Sequence, residues 1–195
     1  MREIPLEDLE TAFRLTLEKA QKAIAGKYFH YARSLLASLL EHYPNCPALR
    51  MMLRQTAIVV RDDESSAAWA WTKTALVNIY YALQHSPLNH INSLERILTK
   101  RPDCLAAHQA LAQAAISKEL WGTAALSLES LVTLSPEDSH SKVLLARAYL
   151  KLGRVEEAQG IVKGVLDHSP HHDFAQELLK QASVEETLKK DSWRK

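Results

Sequence analysis

The stretch LAAHQALAQAAISKELWGTAALSLESLVTLSPED, residues 105–138, runs directly into SHSKVLLARAYLKLGRVEEAQGIVKGVLDHSPHH, residues 139–172, and the two 34-residue strings are one pattern written twice. Leu111/Leu145, Ala112/Ala146, Ala114/Ala148, Ala124/Ala158, Ser135/Ser169 and Pro136/Pro170 are identical between them, and Pro102 precedes Pro136 by the same 34 residues. A fixed period of this length signals one supersecondary unit repeated, because a unit that cannot bury its apolar face alone buries it against the next copy. Each string holds two helical segments that part near Glu119 or Gly153. The second ends ahead of its proline, since a residue preceding proline is pushed out of the helical region. The result is an antiparallel pair, helix A then helix B. Ala112, Ala146, Ala124 and Ala158 are small where two helix backbones must approach, while Leu111, Leu128, Leu131, Leu145, Val162 and Val165 fill the remaining space.

Working outward, GKYFHYARSLLASLLEHYPNCPAL, residues 26–49, reads as a B helix that ends at Pro44, with Ala32 twelve residues ahead of it as Ala124 is ahead of Pro136. Gly26 lies six residues before Ala32 where Gly153 lies five before Ala158, so this turn is expected to hold one extra residue. Pro44 and Pro102 are 58 residues apart, 24 more than the period, which predicts a full unit plus a helix-sized insertion. Keeping the phase places repeats near 13–46, 71–104, 105–138 and 139–172, with an irregular insertion over 47–70, and puts His90 where the other units have alanine. Helices are expected over 6–25, 28–42, 48–61, 65–84, 88–100, 105–118, 121–134, 139–152, 155–167 and 173–183. The last of them, with Phe174, Leu178 and Leu179 on one face, has the form of a solubilising cap. Residues 184–195 carry seven Asp, Glu, Lys or Arg in twelve and are expected to be a flexible charged tail. The fold class is all-α, a solenoid of antiparallel helix pairs filling residues 1–183.

Leu145, Ala146, Tyr149, Gly153, Ala158, Val162 and Pro170, in this order, resemble the tetratricopeptide repeat (TPR) family. His108 and Lys142 stand where the family pattern opens with tryptophan, alanine replaces its usual small glycine, and Ala115 stands where the second unit has Tyr149. The resemblance implies a right-handed superhelix of about ten helices acting as a non-catalytic interaction module or scaffold. It also implies that the A helices line a concave face that binds a peptide or protein surface. On that face it places Ala106, Gln109, Gln113, Ile116, His140, Val143, Arg147, Lys151, Phe174, Glu177 and Gln181. His140, Arg147 and Lys151 suit acidic or carboxylate groups, and Ile116, Val143 and Phe174 suit apolar anchors. Family members that capture a chaperone's C-terminal carboxylate use Lys and Asn at set places on consecutive A helices. Gln109, Gln113, Val143 and Arg147 stand there instead, which argues against such a ligand.

Composition narrows the alternatives. Twenty-four Lys and Arg against 23 Asp and Glu leave a net charge of +1, without the concentrated basic face that nucleic acid or an anionic membrane requires. No uninterrupted apolar segment of signal or membrane-spanning length is present, so no membrane insertion is expected. Cys46 and Cys104 are too few for a disulfide framework and are not spaced as a redox or zinc pair, which fits the reducing cytoplasm. No cofactor is expected: no glycine-rich phosphate loop occurs. His168, His171 and His172 could in principle hold a divalent ion, which leaves a metal-dependent enzyme as a remote alternative, but Pro170 denies them a helical i,i+4 spacing, so no metal is assigned and no enzyme activity is expected. A homo-oligomer is the alternative reading. Its contact would be the aromatic segment 65–83, with Trp69, Trp71, Tyr80 and Tyr81, or Gly160 and Gly164 on the last B helix.

Overall fold

A computed structural model describes residues 3–59, 72–78 and 87–192. Among them every regular element is a helix. A 3-10 turn, Leu6–Asp8, precedes α1 (Thr11–Ala25), α2 (Phe29–His42) and α3 (Pro47–Val59), and residues 72–78 form α4. Then come α5 (Pro87–Lys100), α6 (Leu105–Ser117), α7 (Trp121–Leu134), α8 (Ser139–Lys151), α9 (Val155–His168) and α10 (Asp173–Ser192). The all-α class expected from the sequence holds. The last helix runs on to Ser192 instead of ending at 183 in a flexible tail, its charges being spread along a helix that needs only one apolar edge to stay formed.

Two kinds of turn recur. The A-to-B turn has its left-handed residue at Lys27 (φ 63°), Glu119 (φ 58°) and Gly153 (φ 75°), five residues before Ala32, Ala124 and Ala158 in turn. In each case the next amide donates to the carbonyl five residues back, Tyr28 to Ala23 (2.8 Å), Leu120 to Ala115 (3.0 Å) and Arg154 to Tyr149 (2.9 Å), which closes a Schellman cap on helix A. The first turn therefore has no extra residue. Gly26 has an ordinary φ of −79°, and Lys27 bears the left-handed backbone. The B-to-A turn is equally regular: its last amide donates to its first carbonyl at 43–46, 101–104, 135–138 and 169–172, over 3.1–3.2 Å. Pro44, Pro102, Pro136 and Pro170 each take its second position.

These turns relocate the insertion. Helix α3 starts directly after the turn ending at Cys46, as α6 does after Cys104 and α8 after Asp138, and it packs against α2 and against α5. It is thus the A helix of a unit whose B helix is α5. Three residues connect α1 to α2, α6 to α7 and α8 to α9, whereas 27 lie between Val59 and Pro87. The difference is the 24 residues by which Pro44 and Pro102 exceed the period. The extra chain sits within a unit, at 60–86, and not ahead of a unit at 71–104.

The chain divides into two compact units, Met1–Leu126 and Ser127–Lys195, the boundary falling inside α7. In the first, Leu9, Leu17, Ala20, Leu36, Leu39, Leu40, Cys46, Leu49 and Leu53 form a buried cluster, against which Phe13 sets its ring edge-on to Tyr43 at 5.1 Å. The N-terminal segment is fastened at two points: Ile4 donates to the Asn45 carbonyl (3.1 Å), and Glu3 caps α7. The Glu3 carboxylate accepts from the Gly122 amide (2.8 Å) and from the amide and hydroxyl of Thr123 (2.7 and 3.0 Å), a negative group at the positive end of a helix dipole. A Cβ at Gly122 would lie 2.6 Å from that carboxylate and 3.0 Å from Pro47 Cγ. In the second unit the small Ala146 and Ala158 are fully buried, with Leu145, Val162, Val165 and Leu178 around them. Tyr149 donates to Glu129 (2.8 Å) beneath the Arg154 guanidinium, 3.9 Å from the ring centre. Burial, and then the Glu129 hydrogen bond, push its phenol up to about 12.

Candidate functional site

In the first unit, helix α6 buries Ala107, His108, Ala110, Leu111, Ala112 and Ala115, which leaves Gln109 and Gln113 exposed one turn apart and Ile116 half-buried. The helix inside the insertion stands beside this face. Thr74, Ala75 and Asn78 of α4 line a cleft of about 340 Å³ with Ala106, Gln109 and Gln113. A second, of about 400 Å³, joins Asn78 and His90 to Gln113 and Ser117. Asn78 Oδ1 lies 2.7 Å from His90 Nε2, and Thr74 is only 2% exposed. His90, at a position that is alanine in the other units, is half-buried, and that burial lowers its pKa. The surface the sequence assigned to an open groove is thus, on α6, flanked by hydroxyl and amide groups of the same chain. The only signal for them in the sequence was the 24-residue excess, which placed a segment without saying what it touches.

In the second unit α8 and α10 are in contact. His140, Lys151, Glu177 and Gln181 are exposed, Arg147 is half-buried, and Phe174 shows 42% of its surface. Gln181 donates to Glu177 Oε1 across one helical turn (3.1 Å). Asp138 fixes the start of α8 by accepting from the His140 amide (3.0 Å) and the Ser141 hydroxyl (2.5 Å), and the Ser141 bond holds its carboxyl below the ordinary range. Val143 does not belong to an exposed face. It is 1% exposed, a branched apolar side chain that gains about 1.5–3 kcal/mol by leaving water, at the position where α6 carries the polar Gln109.

The remaining candidates separate. Trp69, Trp71, Tyr80 and Tyr81 lie outside the described residues. Gly160 and Gly164 are exposed, and a Cβ at either would meet no atom within 4 Å, so among the described residues no helix approaches them. His168 Nδ1 lies 2.9 Å from the Gly164 carbonyl and His172 Nδ1 accepts from the Ala175 amide (3.2 Å), both engaged locally. Among the described residues no three His, Cys, Asp or Glu are grouped to hold a metal ion. Both cysteines are free thiols, and burial pushes that of Cys46 up.

A buried charge cluster escaped the sequence reading. Arg50 and Arg54 stand four and eight residues after the turn residue Cys46, the places held after Cys104 by His108 and Ala112. Both are buried, as is Glu95 of α5, whose carboxylate accepts from Arg54 Nε (2.8 Å), Arg54 Nη2 (3.1 Å) and Arg50 Nη1 (3.2 Å). The two guanidinium groups hold Glu95 below the ordinary carboxylate range against the opposing effect of its burial. His108 has Nε2 2.8 Å from the Pro102 carbonyl and, among the described residues, no partner for Nδ1. Burial, and then the charge on Arg54, lower its pKa to about 4. Arginines four apart at core positions of a helical repeat were the available signal.

The family model of the tetratricopeptide repeat matches residues 121–182. Among solved structures, the first TPR of Spaghetti (RPAP3), bound to the HSP90 peptide SRMEEVD, is 18% identical with a TM-score of 0.54, covering 62% of this chain and 95% of that one. A point mutant of the MamA protein is 15% identical with a TM-score of 0.50, covering 90% of this chain and 88% of that one. A search of curated proteins gives no match. Among the described residues no helix is long and apolar enough to cross a membrane. Four prolines in equivalent turns and three Schellman-capped helix pairs carry the helix-pair pattern beyond residues 121–182, which match the tetratricopeptide-repeat model, and the fold of the chain is similar to that of solved tetratricopeptide-repeat structures.

Proposed function

We propose that this chain is a non-catalytic scaffold whose A-helix faces take a peptide or protein surface, and not nucleic acid. The observation that carries the reading is on α8 and α10, two helices in contact, where His140 and Lys151 are exposed and Arg147 half-buried on the first and Phe174 shows 42% of its surface on the second. Arg147 and Lys151 on one helix and an exposed aromatic ring on its neighbour suit an acidic segment carrying an apolar residue. The RPAP3 repeat domain, similar in fold, holds a peptide whose sequence ends in two glutamates, a valine and an aspartate, which supports a peptide ligand here without fixing its identity. On α6 the corresponding positions are flanked by α4, so the proposal is placed on the second unit. A cytoplasmic setting belongs to this proposal and rests on the two unpaired cysteines. The test is affinity capture from native lysate with the unaltered chain and with Arg147→Glu/Lys151→Glu. The partner is expected to be lost from the variant, and unchanged recovery of every captured protein would remove the A-helix face as the site.

A further inference from the structure

A cavity of about 280 Å³ opens between α2, α3 and α5, apart from the A-helix faces just described. Its inner end is built from Leu40, Leu53 and Arg50, all buried, and Arg33, Arg96 and Lys100 also line it. The two carboxylates at its wall are already engaged: Glu41 lies 3.6 Å from Arg96, and Glu95 is shared by Arg50 and Arg54. Among the described residues, Arg50 and Arg54 thus share the carboxylate of Glu95. Arg50 donates through Nη1 to Glu95, and through Nη2 to Asn92 Oδ1 (3.0 Å) and to the Pro44 carbonyl. Its Nε–H finds no acceptor among the described residues, although the side chain is 1% exposed. An unmade hydrogen bond on a buried cation is costly unless an acceptor completes it, and an anion does so best.

We propose that this cavity binds a carboxylate borne on a small apolar body, the carboxylate drawn to the Arg50 end and the body resting on Leu40 and Leu53. Its volume lies just below the usual range of ligand pockets, about 300–1,000 Å³. That suits a short organic acid or the last residue of a peptide and is too small for a nucleotide. A guanidinium's planar fork is matched to a carboxylate, and the apolar inner wall disfavours a bare inorganic anion.

The test is a titration of the full, isotope-labelled chain followed by amide NMR, with N-acetyl-leucine, its primary amide, and a short peptide ending in leucine with a free or an amidated C-terminus. The free carboxylates are expected to shift the amides of Leu53, Asn92 and Arg96 saturably at millimolar ligand, the amides at least about tenfold more weakly. If the peptide acid binds as well as N-acetyl-leucine, the natural source is a protein C-terminus. If only N-acetyl-leucine enters, it is a small acid. Either result sustains the site. Because Arg50→Gln disturbs a buried cluster, the decisive variant is Arg96→Glu/Lys100→Glu, whose side chains reach the surface. It is expected to keep its thermal midpoint and lose about tenfold in affinity. Equal binding of acid and amide, shifts confined to the α6, α8 or α10 faces, or no saturation would each overturn the proposal. Shifts confined to those faces would speak for the A-helix reading; the other outcomes leave it untouched, since it has its own variants.

Discussion

Lys27 and Glu119 occupy a backbone conformation that between α8 and α9 is given to Gly153, and a side chain there costs roughly 1 kcal/mol in steric strain. Lys27→Gly and Glu119→Gly are therefore expected to stabilise the fold by up to about 1 kcal/mol, and Gly153→Ala to destabilise it by a similar amount, read from urea midpoints. Counting glycines misplaced the first turn for this reason: the sequence shows which residue prefers a left-handed backbone, while the hydrogen bonds of the cap decide which residue must adopt it. A second residue-scale effect is titratable. His108 is 1% exposed and its pKa falls to about 4 from an ordinary 6.5, so the unfolded chain takes up its proton first as pH drops. Stability is expected to be unaffected by this group above pH ~6.5 and to fall by about 1.4 kcal/mol per unit between there and pH ~4. Arg54 opposes the proton, while Glu95, Asp103 and the Pro102 carbonyl favour it only partly. His108→Gln keeps a donor for that carbonyl and should flatten this limb of the pH–stability curve; an unchanged slope would assign it to other groups.

Between elements, the α3/α5 contact is the most polar joint described in the repeat, because the places that hold His108 and Ala112 on α6 hold Arg50 and Arg54 on α3. Glu95→Gln removes the carboxylate that the buried Arg50 and Arg54 share and is expected to cost about 3–5 kcal/mol in equilibrium unfolding. The N-terminal cap is a gentler joint with a diagnostic sign. Glu3→Ala should cost about 1 kcal/mol through loss of the α7 cap. Gly122→Ala should also destabilise, since its Cβ would displace the Glu3 carboxylate. In the Glu3→Ala background, however, the same methyl meets mainly Pro47 and gains helix propensity, so the two losses should be far from additive. The sequence marked α6 to α9 well because their core positions are alanine, leucine and valine at a constant period. It misassigned the α3–α5 unit because charged residues at core positions keep the helix expected over 48–61 from being recognised as a helix A by apolar spacing.

At the scale of the molecule, the unit that departs most from the period is a complete repeat interrupted between its two helices. The number that established this, 27 connecting residues where the other units use three, could be read from the sequence only after the turns at Cys46 and Cys104 were known to be equivalent. Repeat arrays tolerate insertions at such places because each unit is stabilised by its own helix pair and its nearest neighbours, and lengthening a loop adds only slowly to its closure entropy. Replacing residues 60–86 by a three-residue turn such as Leu-Gly-Arg, the connection at 152–154, should consequently restore the 34-residue period and leave α3 paired with α5. The expected outcome is a folded chain whose circular dichroism per residue is retained and whose thermal midpoint is unchanged or higher. It should also uncover Gln109 and Gln113, since Thr74, Ala75 and Asn78 now line the clefts beside them. Faster amide hydrogen exchange confined to α6, with α8 and α9 unaffected, would agree with an insertion that shields one face of an otherwise self-sufficient repeat. Loss of cooperative unfolding in the deletion variant would show instead that α4 belongs to the core and that α3 and α5 cannot hold together without it.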